Sequence, residues 1–390
     1  MYMKSSVKVF ANEFNLIIGG VISKEVIVNV TELDNFVRQV LIAHGLNAED
    51  ARITADVLIR ADRRGIGSHG VARLKRYVDG LDSGVIRPNP DVKIIRETPV
   101  SLVIDGDGGM GQPIAYRAMQ KCIEKARTAY MCFAAIRNSN HYGIAGYYVL
   151  MALAEGMMGV SLTNTTPLVV PTFGRNVTIG TNPIAIGFPG KKERPFLLDM
   201  ATSTVPRGKL EVYARKGEPI PDCWACDEDG KPSTDAAALL DDMINRRVGG
   251  LLPLGGGTEL TGGHKGYGLS AVVDILCGVL SAGMVGTEIA RYSNAPAGVS
   301  HFIGAINPDA FVGTDLISEG IDKYIQMLRN ADKAAGQERI YVAGEKEFLA
   351  EERYRDFVPL QDKVFQTLND IGTKVGLSIT ELKKERTKCE

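Results

Sequence analysis

His141 sits in Asn138-Ser-Asn-His-Tyr-Gly143, between a short apolar run and a stretch with helical patterning. A histidine at such a junction can work as a general acid–base, because its ordinary pKa lies near neutrality. The other reading is a capping histidine, hydrogen-bonded and inert. A second candidate, His69, lies in Ser68-His-Gly70, four residues before Arg73, which is itself four before Tyr77. That spacing shares one helix face. A histidine, a forked cation and a phenol near one helix end can bind a small carboxylate; a surface helix with a hydrogen-bonded His69 has the same sequence. Lys265 lies in Gly262-Gly-His-Lys-Gly-Tyr-Gly-Leu269. The spacing is not that of a P-loop, yet a lysine at a glycine-lined helix start can hold a phosphate or a substrate oxygen.

These side chains need elements to hold them. Residues 131–136 read as a buried strand and 145–154 as a helix, which places His141 outside a strand end, where open α/β sheets leave a crevice. Thr31-Glu-Leu-Asp34 resembles a capping box opening a helix with Leu33, Val37, Val40 and Leu41 inward. Asn47 opens a second helix, broken at Gly65-Ile-Gly67, and Ser68 can cap a third that carries Arg73, Arg76 and Tyr77. Pro88 and Pro90 mark a linker. The strand 100–104 leads into Gly106-x-Gly108-x-x-Gly111, which formally fits a dinucleotide fingerprint. Asp105 and Asp107 would set like charge against a pyrophosphate, and Arg137-Asn138 replaces the acidic residue expected for the ribose. The stretch therefore reads as a tight turn. Later strand ends, at Asn164-Thr-Thr-Pro167, Gly180-Thr-Asn-Pro183 and Asp199-Met-Ala-Thr-Ser203, carry donors and hydroxyls suited to a nicotinamide, a ribose and phosphates. Residues 241–260 read as a flexible excursion.

A length of 390 residues accommodates two domains. With 45% hydrophobic and 23% charged residues, the composition is that of a soluble globular protein. A net charge of −1 without a basic run argues against nucleic acid or an anionic membrane as partner. Cys223 and Cys226 form a CxxC among turn-forming residues; with no second pair, no metal is expected, and a reducing cytoplasm is the simplest setting. The apolar segment 14–22 is too short for a membrane span and reads as part of an N-terminal extension, an added strand or an arm.

Taken together and in order, Ser68-His-Gly-Val-Ala-Arg73, Asp105-Gly-Asp-Gly-Gly-Met-Gly-Gln112, Asn140-His-Tyr-Gly143, Gly180-Thr-Asn-Pro183, Leu198-Asp-Met-Ala-Thr-Ser203 with Arg207-Gly-Lys209, and Gly263-His-Lys-Gly-Tyr-Gly268 resemble the malate/L-lactate/L-sulfolactate dehydrogenase-like oxidoreductases, relatives of ureidoglycolate dehydrogenase and diketogulonate reductase. The resemblance runs from about residue 31 to the C-terminus. It implies an α/β fold with a non-Rossmann NAD(P)-binding domain on a mixed sheet (96–271) and a helical domain built from both chain ends (31–95 and 272–390), preceded by the extension 1–30. It implies a homodimer that interconverts a small 2-oxo acid and its (S)-2-hydroxy acid, malate/oxaloacetate first, with lactate, sulfolactate or ureidoglycolate as alternatives. By resemblance His141 is the general acid–base and His69 the other proton donor. Ser68, Arg73 and Tyr77 lie on the substrate side. Thr165, Asp199, Met200, Ala201, Lys265, Gly266, Gly344 and Glu345 are cofactor contacts for NAD or NADP. Three departures stand out: the N-terminal extension, a longer segment between Asp241 and Gly263, and Ala343-Gly-Glu345 where the family has Pro-Gly-Glu. Two other classes are a metal enzyme using His69, His141 and His264, and an inactive binding homologue.

Overall fold

The computed structural model describes residues 25–289 and 297–380. Its strands, in chain order, are β1 (Glu25–Asn29), β2 (Lys93–Glu97), β3 (Ser101–Asp105), β4 (Met131–Ser139), β5 (Met158–Thr163), β6 (Ile184–Phe188), β7 (Phe196–Met200), β8 (Ala225–Cys226), β9 (Gly250–Leu251), β10 (Val299–Ile306) and β11 (Phe357–Gln361). Seven form the central sheet in the order β2-β3-β4-β10-β5-β6-β7. Only β3 and β4 are parallel; every other neighbouring pair in that sheet is antiparallel. A doubly wound dinucleotide fold needs consecutive parallel strands, so this mixed sheet is of another kind.

β4 and β10 lie at the centre and carry apolar, buried stretches: Cys132, Ala134 and Ile136 in the first, Ile303 and Ala305 in the second. They share a core with the helices 111–129 and 146–154 through Met119, Cys122, Tyr148 and Val149. β10 sits between strands from far earlier in the chain. The boundary 272–390 for the helical part therefore needs amending, because residues 299–306 belong to the sheet. Their burial explains why: an apolar strand with both edges paired sits best at a sheet centre.

A second core joins the chain ends. β1 pairs with β11, Val28 opposite Val358. Against that ribbon pack the helices Val30–Ala43, Ala48–Arg63, Leu74–Asp82 and Asp362–Lys374, through Leu33, Leu58, Leu74 and Leu368. Each of these fully buried leucines contributes about 1.5–3 kcal/mol relative to an exposed one. Residues 25–29, placed with the N-terminal extension from sequence, are thus part of this unit; segment 14–22 lies outside the described residues. The first helix starts at Val30, capped by Asn29, whose Oδ1 accepts from Thr31 and Glu32 N–H at 2.9 and 3.1 Å. The expected capping box at Thr31 is replaced by this cap, because asparagine two residues earlier satisfies the same orphan donors. A third, smaller core holds a lobe built from residues 169–179 and 205–252, with Val177, Leu210, Met243 and Leu251 inward and Cys226 buried in the β8–β9 ribbon. Among the described residues no helix is long and apolar enough to cross a membrane, and no cluster of His, Cys, Asp or Glu could hold a metal ion.

Candidate active site

The glycine-rich stretch after β3 packs against the loop that carries His141. Gly106 N–H donates to Arg137 O at 2.9 Å and Gly108 N–H to Asn138 O at 2.7 Å. In return Asn140 Nδ2 donates to Gly108 O and Gly109 O, both at 2.9 Å. A Cβ at Gly111 would lie 2.2 Å from Asn140 O and 2.7 Å from His141 O, so only glycine lets the helix start approach so closely. Asp105 is matched by Arg137 and Asn138, Asp107 by Arg87. The glycines therefore shape the His141 loop. With two of their amides spent on its carbonyls, they make a poor pyrophosphate cradle. β4 itself runs three residues beyond the expected strand, to Ser139, turning at Asn138 with φ 50°.

His141 Nδ1 meets the Tyr77 hydroxyl at 2.6 Å. Because a hydroxyl can donate or accept, that bond survives whether the ring gains or loses a proton. Tyr77 is buried, and burial pushes its pKa up, so it stays a neutral phenol. The His69 ring stacks on His141 with centroids 5.6 Å apart, and its Nδ1 meets Ser68 Oγ at 2.9 Å. Both rings keep access to one cavity yet are crowded by protein. Desolvation, then the positive charge of Arg73 and Arg76, lowers His69 to about 4. Desolvation, then Arg76, His69 and Arg73, lowers His141 well below its ordinary value. Both are neutral at pH 7 while the cavity holds no anion.

Ser68 does not cap the third helix. Residues 67–69 and 71–73 form two short 3₁₀ turns, and the helix begins only at Leu74. The cause is Asp62, at the end of the preceding helix: its carboxylate accepts from Val71 N–H at 2.8 Å, and a Cβ at Gly70 would lie 1.9 Å from its Oδ1. This contact draws the chain between His69 and Arg73 inward and brings Arg73 Nε to 2.6 Å from Ser68 O. Burial lifts Asp62 to about 7, only partly opposed by the Val71 amide. A raised folded pKa means that the folded chain holds this proton more tightly than the unfolded one. The contribution is full below the ordinary value near 3.8 and is lost as pH rises through 7. Asp62→Asn keeps the acceptor without the charge. Its stability, relative to the unsubstituted chain, is expected to climb from pH 4 to pH 7 by about 1.4 kcal/mol per pH unit and then level off, with the melting temperature following. Thermal melts across that range check this; a difference that stays flat with pH refutes it.

The cavity measures ≈ 640 Å³, within the usual range of small-molecule sites. Ser68, His69, Arg73, His141 and Thr165 all line it, as expected from sequence, and Tyr77 stands directly behind His141. Asp199, at the end of β7, accepts from Gly146 N–H at 2.8 Å and so lies against the start of the helix after His141. Crowding around its carboxylate pushes it up to about 6. Gly344 packs on Leu197 of β7, a Cβ there meeting Leu197 O at 2.8 Å, so Asp199, Met200, Ala201 and the 344–345 turn form one neighbourhood. Glu345 is buried, its carboxylate held by Arg329, Arg339 and the Val342 amide. Lys265 and Gly266 do not line the cavity: Lys265 is exposed at the start of helix Gly263–Asp274, and Gly266 packs on Leu254.

Other contributors carried little or no sequence signal. Arg76, Arg207 and Arg247 also face the cavity, and none of the lining residues is acidic. Beneath it, His301 of β10 bonds Thr163 Oγ1 and Ser139 Oγ, each at 2.8 Å, and stacks on Tyr142 with centroids 4.4 Å apart. Burial lowers His301 to about 3, so it remains a neutral tie between the ends of β4 and β5.

Residues 28–369 match the family described as malate/L-lactate dehydrogenase. The chain is 50% identical over 352 residues to a malate dehydrogenase of Pyrococcus abyssi, covering 90% of this chain and 95% of that one. It is 39% identical over 345 residues to an L-sulfolactate dehydrogenase of Methanocaldococcus jannaschii, covering 88% and 95%. Its fold is similar to the solved malate dehydrogenase of Pyrococcus horikoshii, with a TM-score of 0.84, 44% identity, and 93% and 99% of the two chains covered.

Proposed function

The chain belongs to the malate/L-lactate dehydrogenase family, and from that premise we propose that it interconverts a small 2-oxo acid and its (S)-2-hydroxy acid, malate/oxaloacetate first, with a nicotinamide cofactor. The observation that carries this reading is the pairing of two neutral, stacked histidines with Arg73 in one acid-free cavity. The residues present suit a nicotinamide dinucleotide. Thr163, Thr165 and Thr181 line the cavity, and Asp199, outside its lining, accepts from Gly146 N–H at the start of the helix after His141. Thr165, Asp199, Met200 and Ala201 would hold it, with Gly344 close by. When bound, NADH or NADPH supplies the hydride that reaches C2 of the oxo acid.

The chain's own groups do the rest. Arg73 presents a planar fork that can take the substrate carboxylate in two bonds and fix the face attacked. His141 Nε2, the nitrogen not engaged by Tyr77, gives a proton to the C2 oxygen as its C=O bond opens, and takes it back in the oxidative direction. Burial first, then the positive charge of Arg76 and Arg73, keeps His141 neutral; an anionic substrate beside Arg73 offsets the second of these and so favours the protonated donor. Ser68 orients His69 from the substrate side. The experiment is a panel of 2-oxo acids followed by NADH and NADPH absorbance. No turnover of any 2-oxo acid with either cofactor refutes the reading.

The assembly in this reading is a homodimer. Leu269, Val272, Ile275 and Val279 form one stripe at helical spacing on the helical stretch from Gly263 to Val279, each 41–58% exposed. Apolar faces of this kind are normally covered by a partner, and a second copy is the occupant expected here. Light scattering should give twice 42.1 kDa, falling to that value in a Val272→Asp/Ile275→Asp double variant. A monomeric unsubstituted chain rules this out.

A further inference from the structure

Two neighbouring arginines on the lobe built from residues 169–179 and 205–252 behave in opposite ways. Arg246 is spent on the surface, paired with Asp242 and Glu228. Arg247 makes no ion pair among the described residues and lines the cavity that holds His141 and Arg73. Its backbone is in the left-handed region, φ 59°, a conformation that costs energy for a residue with a Cβ and that persists where the surroundings enforce it. They do so here: Val248 bridges to Asn176, Gly249 N–H donates to Arg175 O at 2.8 Å, and Asn176 Nδ2 donates to Arg247 O at 3.5 Å. The clamp holds Arg247, itself exposed, on the cavity wall while its neighbour pairs on the surface. From the start of helix Arg207–Lys216, Arg207 lines the same cavity and adds to the positive field at Arg76.

One substrate carboxylate at Arg73 leaves Arg247 on the same cavity wall without an ion-pair partner among the described residues. Arg73 and Arg76 act on the two histidines and so lie at the reacting end; Arg207, paired with Glu211 at 2.9 Å, and Arg247, in no ion pair among the described residues, come from different elements and line the cavity beyond them. We propose that Arg247, with Arg207, forms a second anion subsite that takes the distal acidic group of a dicarboxylic 2-oxo or 2-hydroxy acid. The inference rests on the dehydrogenase reading above and extends it: the 241–262 segment supplies specificity, setting diacids apart from monocarboxylic acids. The subsite acts as a charge partner on the solvent-exposed side of the cavity, where a lost charge-assisted bond is felt as selectivity between diacids and monoacids.

The test uses the full-length chain with Arg247→Gln and Arg247→Lys. Arg247 is exposed, so both variants should melt like the unsubstituted chain. In steady-state assays, Arg247→Gln should lower kcat/KM for oxaloacetate at least about tenfold, leave pyruvate nearly unchanged, and be largely rescued by lysine. Without cofactor or turnover, L-malate should raise the melting temperature of the unsubstituted chain more than L-lactate does, and Arg247→Gln should erase that excess. Equal losses for both acids, a loss confined to cofactor affinity, or equal thermal shifts for malate and lactate in the unsubstituted chain would each overturn the subsite. The thermal shifts stand apart from turnover. A chain that reduces no 2-oxo acid of the panel with either cofactor yet distinguishes malate from lactate in this way refutes the dehydrogenase reading and keeps the subsite.

Discussion

His141→Asn is expected to lower kcat by about 10²-fold or more while leaving the affinity for NADH or NADPH nearly intact. General acid–base catalysis by a positioned side chain contributes typically about 10²–10⁴-fold. Asparagine can still occupy the space and bond Tyr77, but it cannot carry a proton. The loss should therefore fall on kcat rather than on cofactor binding. His69→Asn is the necessary comparison, because the two rings stack and share one cavity. His69 should be the milder variant: its Nδ1 is tied to Ser68, and it has no buried phenol to hold its ring through a change of charge. Steady-state kinetics with fluorescence titration of the cofactor decide the matter. Near-normal turnover in His141→Asn with an inactive His69→Asn would move the role to His69.

Arg73→Lys is expected to raise KM for the oxo acid and reduce kcat/KM by about ten- to a hundredfold, the worth of one charge-assisted hydrogen bond at roughly 1.5–3 kcal/mol. Lysine keeps the charge and loses the fork. The geometry adds a reason: Arg73 Nε is already committed to Ser68 O, which fixes the plane of the guanidinium and leaves its outer nitrogens for the substrate. An ammonium cannot make the backbone contact and the bidentate one together. Variation of the oxo acid at saturating cofactor measures the effect. Unchanged kcat/KM, or a loss lying wholly in cofactor affinity, would show that the carboxylate is held elsewhere.

Local signals were the legible ones. Asn47 and the glycines at 65 and 67 punctuate the helices where the structure has them, and an apolar run followed by a helical pattern placed His141 at a strand–helix junction. The two aspartates beside the glycine triplet were enough to doubt a pyrophosphate cradle. Contacts between distant segments left no local trace. Nothing around Asp62 announces that it will hold the Val71 amide, so the Ser68 region looked like a simple helix start and proved to be two 3₁₀ turns. β10 is one more apolar stretch among many, and only pairing to β4 and β5 places it at the sheet centre. The inward turn of Arg247 depends on a clamp made with residues some seventy positions earlier, beyond the reach of periodicity.

The position of β10 bears on how the protein is made. Synthesis delivers β4 and β5 long before the strand that separates them, and β1 long before its partner β11. A nascent chain that has just released residue 270 from the ribosome holds two apolar strands with unpaired inner edges, the kind of surface that recruits wrong partners. His301, the tie beneath the cavity, arrives with β10 itself. Translation and binding competence are thereby linked: the site has no floor until about three-quarters of the chain has emerged, and the ribbon that joins the two ends closes later still. Until β10 arrives, the unpaired edges of β4 and β5 are where this topology invites misassembly.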